Sequence, residues 1–472
     1  MNILGFSEGF HDAAVTVLSD GHILFAGHSE RYSEKKNDKD IDIKLKKYVD
    51  NNFVIDTIAF YENTLLKKSR QLYSRQYNQV FGGRKLTWNP DRSYFHHLSH
   101  LAAAFQCSPY QEAIGVVVDA IGEWDTISIW NCSYNKNGKV KYKKVYSIKY
   151  PMSLGLLYSA ATATCNLKPN EDEYILMGMS AYGKFHPPLY RKLENELHNN
   201  LHKGLWDNYL EFSHEDIAFN VQLLLEEKLE MLFNKFKDIP LVYGGGVALN
   251  CLANGKLLSG RDTFIFPNPG DAGSSLGAAA LRYGKQIDFS HNYLGHHIPH
   301  VSTQQIKQIV DDLEAGNIVG VASGSAEFGP RALGNRSLLA DPRTPEMKDK
   351  VNEIKKRQMY RPFAPVILEE HADIHFKLNS KNNYKFMQYA VDVISDAFPA
   401  TTHVDNTARV QTVSYTAKTH SRIRDILECW FERTGCPALL NTSLNIKGRP
   451  MVNTVDHAKE FTNEYGIKVY HG

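Results

Sequence analysis

Three short apolar strands separated by polar turns open the chain, and the same plan recurs farther along. No other feature constrains the fold as strongly. The predicted strands lie at 3–6, 13–18 and 23–26 in the first copy, and at 113–119, 126–130 and 140–148 in the second. Two interpretations are open: an internally duplicated α/β fold in which each half begins with a β-meander, or two unrelated hairpin regions within one α/β protein.

Helical patterns follow each meander, and 221–236 has the clearest helical spacing of apolar residues. From Pro240 the sequence twice repeats a strand, a glycine turn and a helix. A polar, histidine-rich segment at 288–302 then precedes a new helix and strand. We therefore predict two domains, at 1–295 and 296–472.

The composition excludes several classes of protein. The 472 residues carry 54 Lys and Arg against 52 Asp and Glu, a net charge of +2, with 43% hydrophobic residues. These values are typical of a globular protein and exclude a disordered chain or a wholly basic nucleic-acid coat. The six cysteines form no C-x-x-C pair, and no apolar stretch is long enough for a membrane span. We expect a cytoplasmic protein with reduced thiols, no export signal and no membrane partner.

His96 and His100 are four residues apart at the start of an alanine-rich helix, so both imidazoles lie on one helical face. Asp119 ends an apolar strand, and Asp271 lies in a Pro/Gly turn. Two histidines with carboxylates suit Fe(II) or another divalent ion. The alternatives are a capping or core role for the histidines and a capping role for each aspartate.

Gly244, Gly245 and Gly246 stand where a strand meets a helix, and Asn250 follows. Backbone N–H groups at such a junction can approach phosphates, and the helix dipole favours anions. A second glycine turn surrounds Asp271, and the pair favours a nucleotide site over a simple packing turn.

The second half carries guanidinium and ammonium groups on a scaffold rich in glycine and proline. They are Arg331, Arg336, Lys355, Arg361 and Arg409. Such cations bind polyanions such as ATP or carbamoyl phosphate. A solvated basic surface is the alternative, and the rigid Gly-Pro and Pro-Phe-Ala-Pro turns disfavour it.

Between 63 and 90, basic residues alternate with aromatic ones and no acid interrupts them. The residues concerned include Lys67, Arg70, Tyr73, Arg75 and Tyr77. Basic charge with interleaved aromatics suits phosphate contact and base stacking. An exposed basic helix with its aromatics turned inward is the alternative.

Together these residues resemble the O-carbamoyltransferases of the nodulation and antibiotic-tailoring type. The resemblance covers nearly the whole chain. It is carried by segments 5–14, 30–32, 96–100, 119–123, 154–158, 177–183, 244–250, 271–273, 327–336 and 360–365. It implies a duplicated actin- and sugar-kinase-like (ASKHA) N-terminal domain and a YrdC-like α/β C-terminal domain.

The resemblance also implies the chemistry. The C-terminal domain would form carbamoyl adenylate from carbamoyl phosphate and ATP with Mg²⁺, using the five cations above. The N-terminal domain would pass the carbamoyl group to an acceptor hydroxyl, with the glycine turn and Asn250 holding the adenylate. By the same resemblance, His96, His100, Asp119 and Asp271 would bind a divalent metal, Fe(II) for preference. His11 and Asp12 would be catalytic, His11 accepting the proton of the acceptor.

The resemblance permits a homodimer and leaves the acceptor open between a nucleotide or DNA base bearing a hydroxyl, such as a hydroxymethylated pyrimidine, and a sugar or secondary metabolite. The basic and aromatic stretch favours the first. Two positions depart from the family pattern, Ile175 in place of a lysine and Arg449 in place of a glutamate. An actin-like small-molecule kinase and a non-catalytic nucleotide-binding module are the alternative classes.

Overall fold

The computed structural model describes residues 1–73 and 86–472, which divide into two compact units. The first unit comprises 1–29 and 37–289, and the second comprises 30–36 and 290–472. A boundary after residue 295 would cut the strand Tyr293–Ile298, which pairs with Gly324–Glu327 of the second unit. The short segment 30–36 also belongs to the second unit, which no local sequence pattern indicates.

The described part of the first unit is built from ten strands and nine helices. The strands are β1 (Asn2–Ser7), β2 (Ala14–Ser19), β3 (His22–His28), β4 (Thr57–Phe60), β5 (Arg92–Ser93), β6 (Glu112–Val118), β7 (Asp125–Tyr134), β8 (Val140–Lys149), β9 (Leu241–Gly244) and β10 (Thr263–Ile265). With α1 (Glu30–Ser33) in the second unit, the helices are α2 (Ile43–Asn52), α3 (Thr64–Tyr73), α4 (His96–Gln106), α5 (Leu154–Thr164), α6 (Glu173–Met179), α7 (Pro187–Glu196), α8 (His214–Phe233), α9 (Cys251–Leu258) and α10 (Ser274–Tyr283).

Two five-stranded sheets of the same order form from the strands described in this unit. One has the order β3-β2-β1-β4-β5 and the other β8-β7-β6-β9-β10. In each sheet an antiparallel meander is extended by two parallel strands. The internal duplication and the α/β class are therefore confirmed. The predicted strands agree with the observed ones to within a few residues, because both meanders are bounded by turn residues and have apolar centres.

Helix α10 packs against both β1 and α4. Two glycines permit the close approach. An ideal Cβ on Gly5 would lie 2.0 Å from the carbonyl oxygen of Ser275, and one on Gly277 would lie 1.8 Å from that of Ser99. The separation of α10 from α4 is thus set by the absence of a side chain at Gly277.

The second unit has its own core around a six-stranded sheet. Its further elements are β11 (Tyr293–Ile298), α11 (Thr303–Glu314), β12 (Val319–Ala322), β13 (Gly324–Glu327), β14 (Arg336–Ala340), α12 (Glu346–Ile354), β15 (Ala364–Leu368), α13 (Ala372–His375), β16 (Ala390–Asp392), β17 (Thr407–Arg409), β18 (Gln411–Val413), α14 (Ile423–Thr434), β19 (Ala438–Ser443), α15 (Val455–Tyr465) and β20 (Val469–His471). The strands of the sheet follow the order β18-β15-β19-β14-β12-β20. Neighbouring residues Leu338 and Leu339 belong to separate apolar clusters. The sheet is therefore buried on both faces.

Each of the six cysteines, all of which are described, is a free thiol. Among residues 1–73 and 86–472, no helix combines the length and apolar character that a membrane crossing requires.

We expect Gly277→Ala to lower the free energy of unfolding by about 1–3 kcal/mol or more, because overpacking forces the two helices apart. The gain in helix propensity, about 1 kcal/mol, is too small to offset a contact with a rigid backbone oxygen. Chemical denaturation followed by circular dichroism measures the change. Gly270→Ala is the matched control, since its ideal Cβ meets no atom within 4 Å. Equal stability of Gly277→Ala and wild type would contradict the packing argument.

Candidate functional site

The polar groups of the first unit gather where its strands end. His11 follows β1, Glu62 follows β4 and Asp119 follows β6 directly, while Asp271 lies between β10 and α10. The carboxyl ends of parallel strands share one edge of a sheet, which is where open α/β sheets bind ligands. The duplicated topology thus brings residues that are distant in sequence toward one site.

Four of the predicted residues converge in the interior. One donor atom from each of His96, His100, Asp119 and Asp271 lies within 4.8 Å of the others, and all four side chains are buried. His96 Nε2 is 2.9 Å from Asp119 Oδ2 and 3.2 Å from Asp271 Oδ1. His100 Nε2 is 3.0 Å from His96 Nε2 and 3.3 Å from Asp271 Oδ1.

This donor set fits a divalent metal ion. Two ligands bound at about 2.1 Å to one ion lie about 3–4 Å apart, the spacing observed here. Two neutral imidazoles and two carboxylates also balance a charge of +2 and suit Fe(II), Mn²⁺ or Zn²⁺. The alternative in which the histidines merely cap or pack does not explain why two buried carboxylates face both Nε2 atoms.

The electrostatics show mutual stabilisation of opposite charges. Burial opposes the charged form of His96 and His100, but Asp119 and Asp271 outweigh it and raise the pKa of both imidazoles. Burial likewise favours neutral carboxyl groups, yet the histidines hold the pKa of Asp119 and Asp271 below the ordinary value. The acids are therefore ionised, as metal ligands must be.

His11 and Asp12, predicted to be catalytic, lie in the turn between β1 and β2. His11 Nδ1 is 3.0 Å from Asp12 Oδ2, and His11 Nε2 is 3.8 Å from Asp271 Oδ2. Although desolvation opposes the charged imidazole, Asp271 and Asp12 raise the pKa of His11 to about 9. The His11 side chain is 27% exposed, so one edge of the imidazole can meet a ligand at the border of the cluster.

Residues absent from the sequence-based assignment hold the ligand helix α4 in place. Glu123 Oε1 accepts hydrogen bonds from the backbone N–H groups of His96 (2.9 Å) and Asn63 (2.8 Å). It therefore caps α4, whose N-cap residue Phe95 offers no side-chain bond. The Ser274 hydroxyl lies 3.0 Å from His100 Nδ1. Ser274 could have been found by its place beside Asp271, whereas Glu123 has no local signal beyond its position in the turn after Asp119.

Glu62 is another buried acid that sequence analysis missed. Its Oε2 is 3.6 Å from His96 Nδ1, and its Oε1 accepts from Lys67 Nζ at 2.7 Å. Burial would raise the pKa of Glu62, but Lys67 and His96 lower it below the ordinary value. The available signal was a carboxylate two residues after the end of the apolar strand β4, comparable to Asp119 after β6.

The glycine turn borders the same site. Gly246 N–H donates to Asp119 Oδ1 at 3.1 Å, and Gly245 has φ 92° with its ideal Cβ 2.3 Å from the carbonyl oxygen of Val118. Glycine is required at Gly245 for both reasons. Asn250 caps α9 by accepting from Ala253 N–H and pairs with Gln222. An adenylate-binding role for Gly244–Gly246 and Asn250 stays a prediction.

Lys355 of the second unit is a buried cation among neutral acceptors. Its Nζ donates to the carbonyl oxygens of Ser443 (2.5 Å) and Asn445 (2.9 Å) and to Asn445 Oδ1 (3.0 Å). Desolvation, followed by repulsion from Arg357, Arg361 and Lys36, lowers its pKa well below the ordinary value. A buried ammonium that has only neutral hydrogen-bond acceptors and lies near other cations is stabilised by a bound anion.

The other predicted cations have different surroundings. Arg336 is fully buried and donates to the carbonyl oxygens of four residues, Gly324, Asn335, His296 and Asn453. Burial lowers its pKa to about 10. Such a guanidinium holds four backbone carbonyl groups in place, and ligand binding by Arg336 stays a prediction. Arg331 is partly exposed and Arg361 is buried, while Arg409 has a buried Nε without a hydrogen-bond partner among the described residues.

The basic and aromatic stretch begins in α3, a helix whose charged residues are buried and whose apolar residues are largely exposed. In α3, Lys67, Arg70 and Gln71 are buried. Leu65 is 78% exposed and Tyr73 68% exposed. Arg70 Nε donates to the carbonyl oxygen of Glu123 at 3.1 Å. Both interpretations of this stretch expected exposed basic residues, whereas Lys67 and Arg70 face the interior.

Tyr73 lies 5.4 Å, centroid to centroid, from Trp124. Arg75 and Tyr77 lie outside the described residues. Of the two departures from the family pattern, Ile175 is a core residue of α6, and Arg449 is exposed with Nη1 3.5 Å from Glu464.

Asp271→Asn should retain less divalent metal than wild type, because the variant loses one ligand charge in a buried site. Metal content after anaerobic loading with Fe(II) and desalting, measured by plasma mass spectrometry, checks this. Asp288→Asn, which changes a carboxylate that is 70% exposed, is the control. Wild-type metal content in Asp271→Asn would contradict the assignment of this ligand.

Comparisons with known proteins agree with the two halves. The family model of the carbamoyltransferase N-terminus matches residues 44–222 and 210–280. The model of the carbamoyltransferase C-terminus matches residues 310–471. Nodulation protein NolNO of Sinorhizobium fredii is 30% identical, covering 95% of this chain and 76% of the relative. NolO of Bradyrhizobium diazoefficiens is 33% identical, with coverages of 77% and 75%.

Among solved structures, the activator of the 2-hydroxyisocaproyl-CoA dehydratase from Clostridium difficile with bound ADPNP has 11% identity and a TM-score of 0.37. The matched region covers 60% of this chain and 94% of the activator chain. The two family models, which together span most of the sequence, and the full-length relatives show that this chain belongs to the carbamoyltransferase family.

Proposed function

We propose that this carbamoyltransferase works in two steps, of which the first consumes ATP. In the first, carbamoyl phosphate and water give carbamate and inorganic phosphate. A carbamate oxygen then attacks the α-phosphorus of ATP, forming carbamoyl adenylate and releasing pyrophosphate. In the second, an acceptor hydroxyl attacks the carbamoyl carbon and AMP leaves. The observation that carries the proposal is that the chain holds two buried sites of opposite character, the His/Asp cluster in the first unit and the Lys355 group in the second.

The first step suits the second unit because it handles only phosphates and a carboxylate-like anion. Lys355, Arg361 and Arg409 offer charges that a polyphosphate can bridge, with Mg²⁺ on the phosphates. Neutral oxygens of Ser443 and Asn445 fix the Lys355 ammonium before any anion arrives. A preorganised cation stabilises charge developing in the transition state without reorganisation.

The second step suits the first unit because it needs an activated carbonyl and a proton acceptor. A divalent ion, Fe(II) by preference, held by His96, His100, Asp119 and Asp271 would supply Lewis acidity toward the carbamoyl oxygen. His11 borders this cluster through Asp271, whose charge raises the pKa of His11. A divalent ion bound to Asp271 would offset that charge, and the neutral imidazole would then receive the hydroxyl proton, with Asp12 fixing the imidazole orientation. The Gly246 N–H, bonded to Asp119, keeps that ligand oriented.

We propose a hydroxyl-bearing nucleotide or nucleic-acid base as the acceptor, with a sugar or secondary metabolite as the alternative. The support is the aromatic pair of Tyr73 and Trp124. Tyr73 ends α3, the helix whose Lys67 bonds to Glu62 near His96. Base stacking on such rings contributes about 1–3 kcal/mol. Lys67 and Arg70 are engaged inside the protein, so their acceptor role, like that of Arg75 and Tyr77, stays a prediction. A cytoplasmic location is part of the proposal, since the cysteines are free.

Lys355→Met should lower pyrophosphate release from ATP and carbamoyl phosphate by about 10²–10³-fold, because one preorganised cation is lost.

The His11→Asn variant should release pyrophosphate at the wild-type rate but transfer the carbamoyl group about 10²–10⁴-fold more slowly, because it lacks the proton acceptor. Pyrophosphate is measured by a coupled assay, and carbamoylated products are measured by mass spectrometry against nucleosides, DNA and sugars. Unchanged metal content in Lys355→Met verifies that the first unit is intact.

Lys377→Met, which removes an exposed lysine of the second unit, is the matched control and should behave as wild type. ADP in place of AMP and pyrophosphate would contradict the adenylate step and favour a kinase. Loss of pyrophosphate release in His11→Asn would contradict the division of the two steps between the units.

A further inference from the structure

Glu62 and Lys67 form a buried ion pair next to the candidate metal ligands. The Glu62 side chain is 1% exposed and the Lys67 side chain 5%. Lys67 Nζ donates to both carboxylate oxygens, at 2.7 and 2.9 Å, and lies 5.3 Å from the centroid of the Phe10 ring. A pair removed this far from water is costly unless its geometry is well satisfied.

The pair is directed at His96. With Nε2 facing the His/Asp cluster, the Nδ1 atom of His96 points away from it and is buried. It has no hydrogen-bond partner among the described residues, and the nearest acid is Glu62, whose Oε2 lies 3.6 Å away, just beyond hydrogen-bond distance. A small shift of either side chain would close this hydrogen bond. In metal sites, the second ring nitrogen of a histidine ligand usually donates to a carboxylate, a carbonyl or a water, which fixes the tautomer and makes the ligand more basic.

We propose that Glu62, held in place by Lys67, is a positioning residue that orients His96 and raises the affinity of the site for a divalent cation. The inference rests on the metal centre of the proposed function and adds the residues that tune it. It also gives the buried Lys67 a role inside the protein rather than toward an acceptor.

The two histidine ligands then differ in their supporting partners. His100 has a neutral hydroxyl at its outer nitrogen, 3.0 Å away on Ser274, whereas His96 has a carboxylate. The carboxylate makes His96 the stronger donor of the two. Lys67 cancels the charge of Glu62, so the site keeps only the two negative charges of Asp119 and Asp271 and stays matched to a divalent ion.

Cobalt(II) binding to the full-length protein tests this role. Co²⁺ affinity is measured by competition with a chromogenic chelator, and the ligand field is measured by the visible d–d absorption. Glu62→Gln should weaken Co²⁺ binding about 10- to 100-fold and shift the absorption, as expected when an outer-sphere partner is lost. The double variant Glu62→Gln with Lys67→Met avoids leaving the Lys67 ammonium buried without a carboxylate. It should bind Co²⁺ at least about tenfold more weakly than wild type, because it too lacks the outer-sphere carboxylate.

Glu196→Gln is the matched control, because Glu196 is a buried acid that accepts from Trp206 and Asp207 N–H groups. It should keep wild-type affinity and absorption. Should Glu62→Gln not fold, the double variant decides the matter. Wild-type affinity and an unshifted spectrum in the folded variants would overturn the inference while leaving the metal centre standing. No Co²⁺ binding by wild type would overturn the metal centre and this inference together.

Discussion

The structure of the first unit depends on bringing two carboxylates and two imidazoles together away from water. Such an assembly is unfavourable unless each charge meets an opposite one. The fold meets this requirement with rigid elements. Helix α4 presents both imidazoles from consecutive turns, Glu123 caps that helix, and the glycine at 277 lets α10 approach closely enough to carry Asp271 into range. A close backbone contact outside the cluster, between Gly277 and the carbonyl oxygen of Ser99, thus helps to set the distances within the cluster.

Duplication explains why the contributing residues are so far apart in sequence. Each sheet has a meander followed by parallel strands, so each half offers carboxyl ends of strands where polar residues are tolerated. His11 and Glu62 come from the first copy, whereas Asp119, the glycine turn and Asp271 come from the second. The second unit follows another strand order and presents cations instead. The proposed function would assign a phosphate-rich stage to one of these scaffolds and a carbonyl stage to the other.

Sequence analysis predicted the meanders well because alternating turns are a local signal. The four-residue histidine spacing, reinforced by resemblance, selected four residues that do lie together in the fold, and their binding of a metal ion stays a prediction. It failed for groups whose meaning depends on burial. Lys67 and Arg70 belong to a segment without acids, and no pattern within that segment indicates their partners. Lys67 bonds to Glu62, which precedes the segment, and Arg70 bonds to the carbonyl oxygen of Glu123, which is far along the chain. Arg336 has carbonyl partners from four separate places in the chain. Segment 30–36 joins the second unit through Arg31, which donates to the carbonyl oxygens of Glu327 and Gly329.

The arrangement of α3, with charged residues buried and apolar residues exposed, affects which of its positions can change. Its inward positions are committed to ionic partners, so most replacements there disturb the chemistry of the centre. Its outward positions Leu65, Leu66 and Leu72 are 78%, 40% and 47% exposed, and Tyr73 packs on Trp124. Drift at those outer positions is therefore decoupled from the inner ones. The residues that α3 exposes to solvent can therefore change while its buried residues, Lys67 and Arg70, keep their partners.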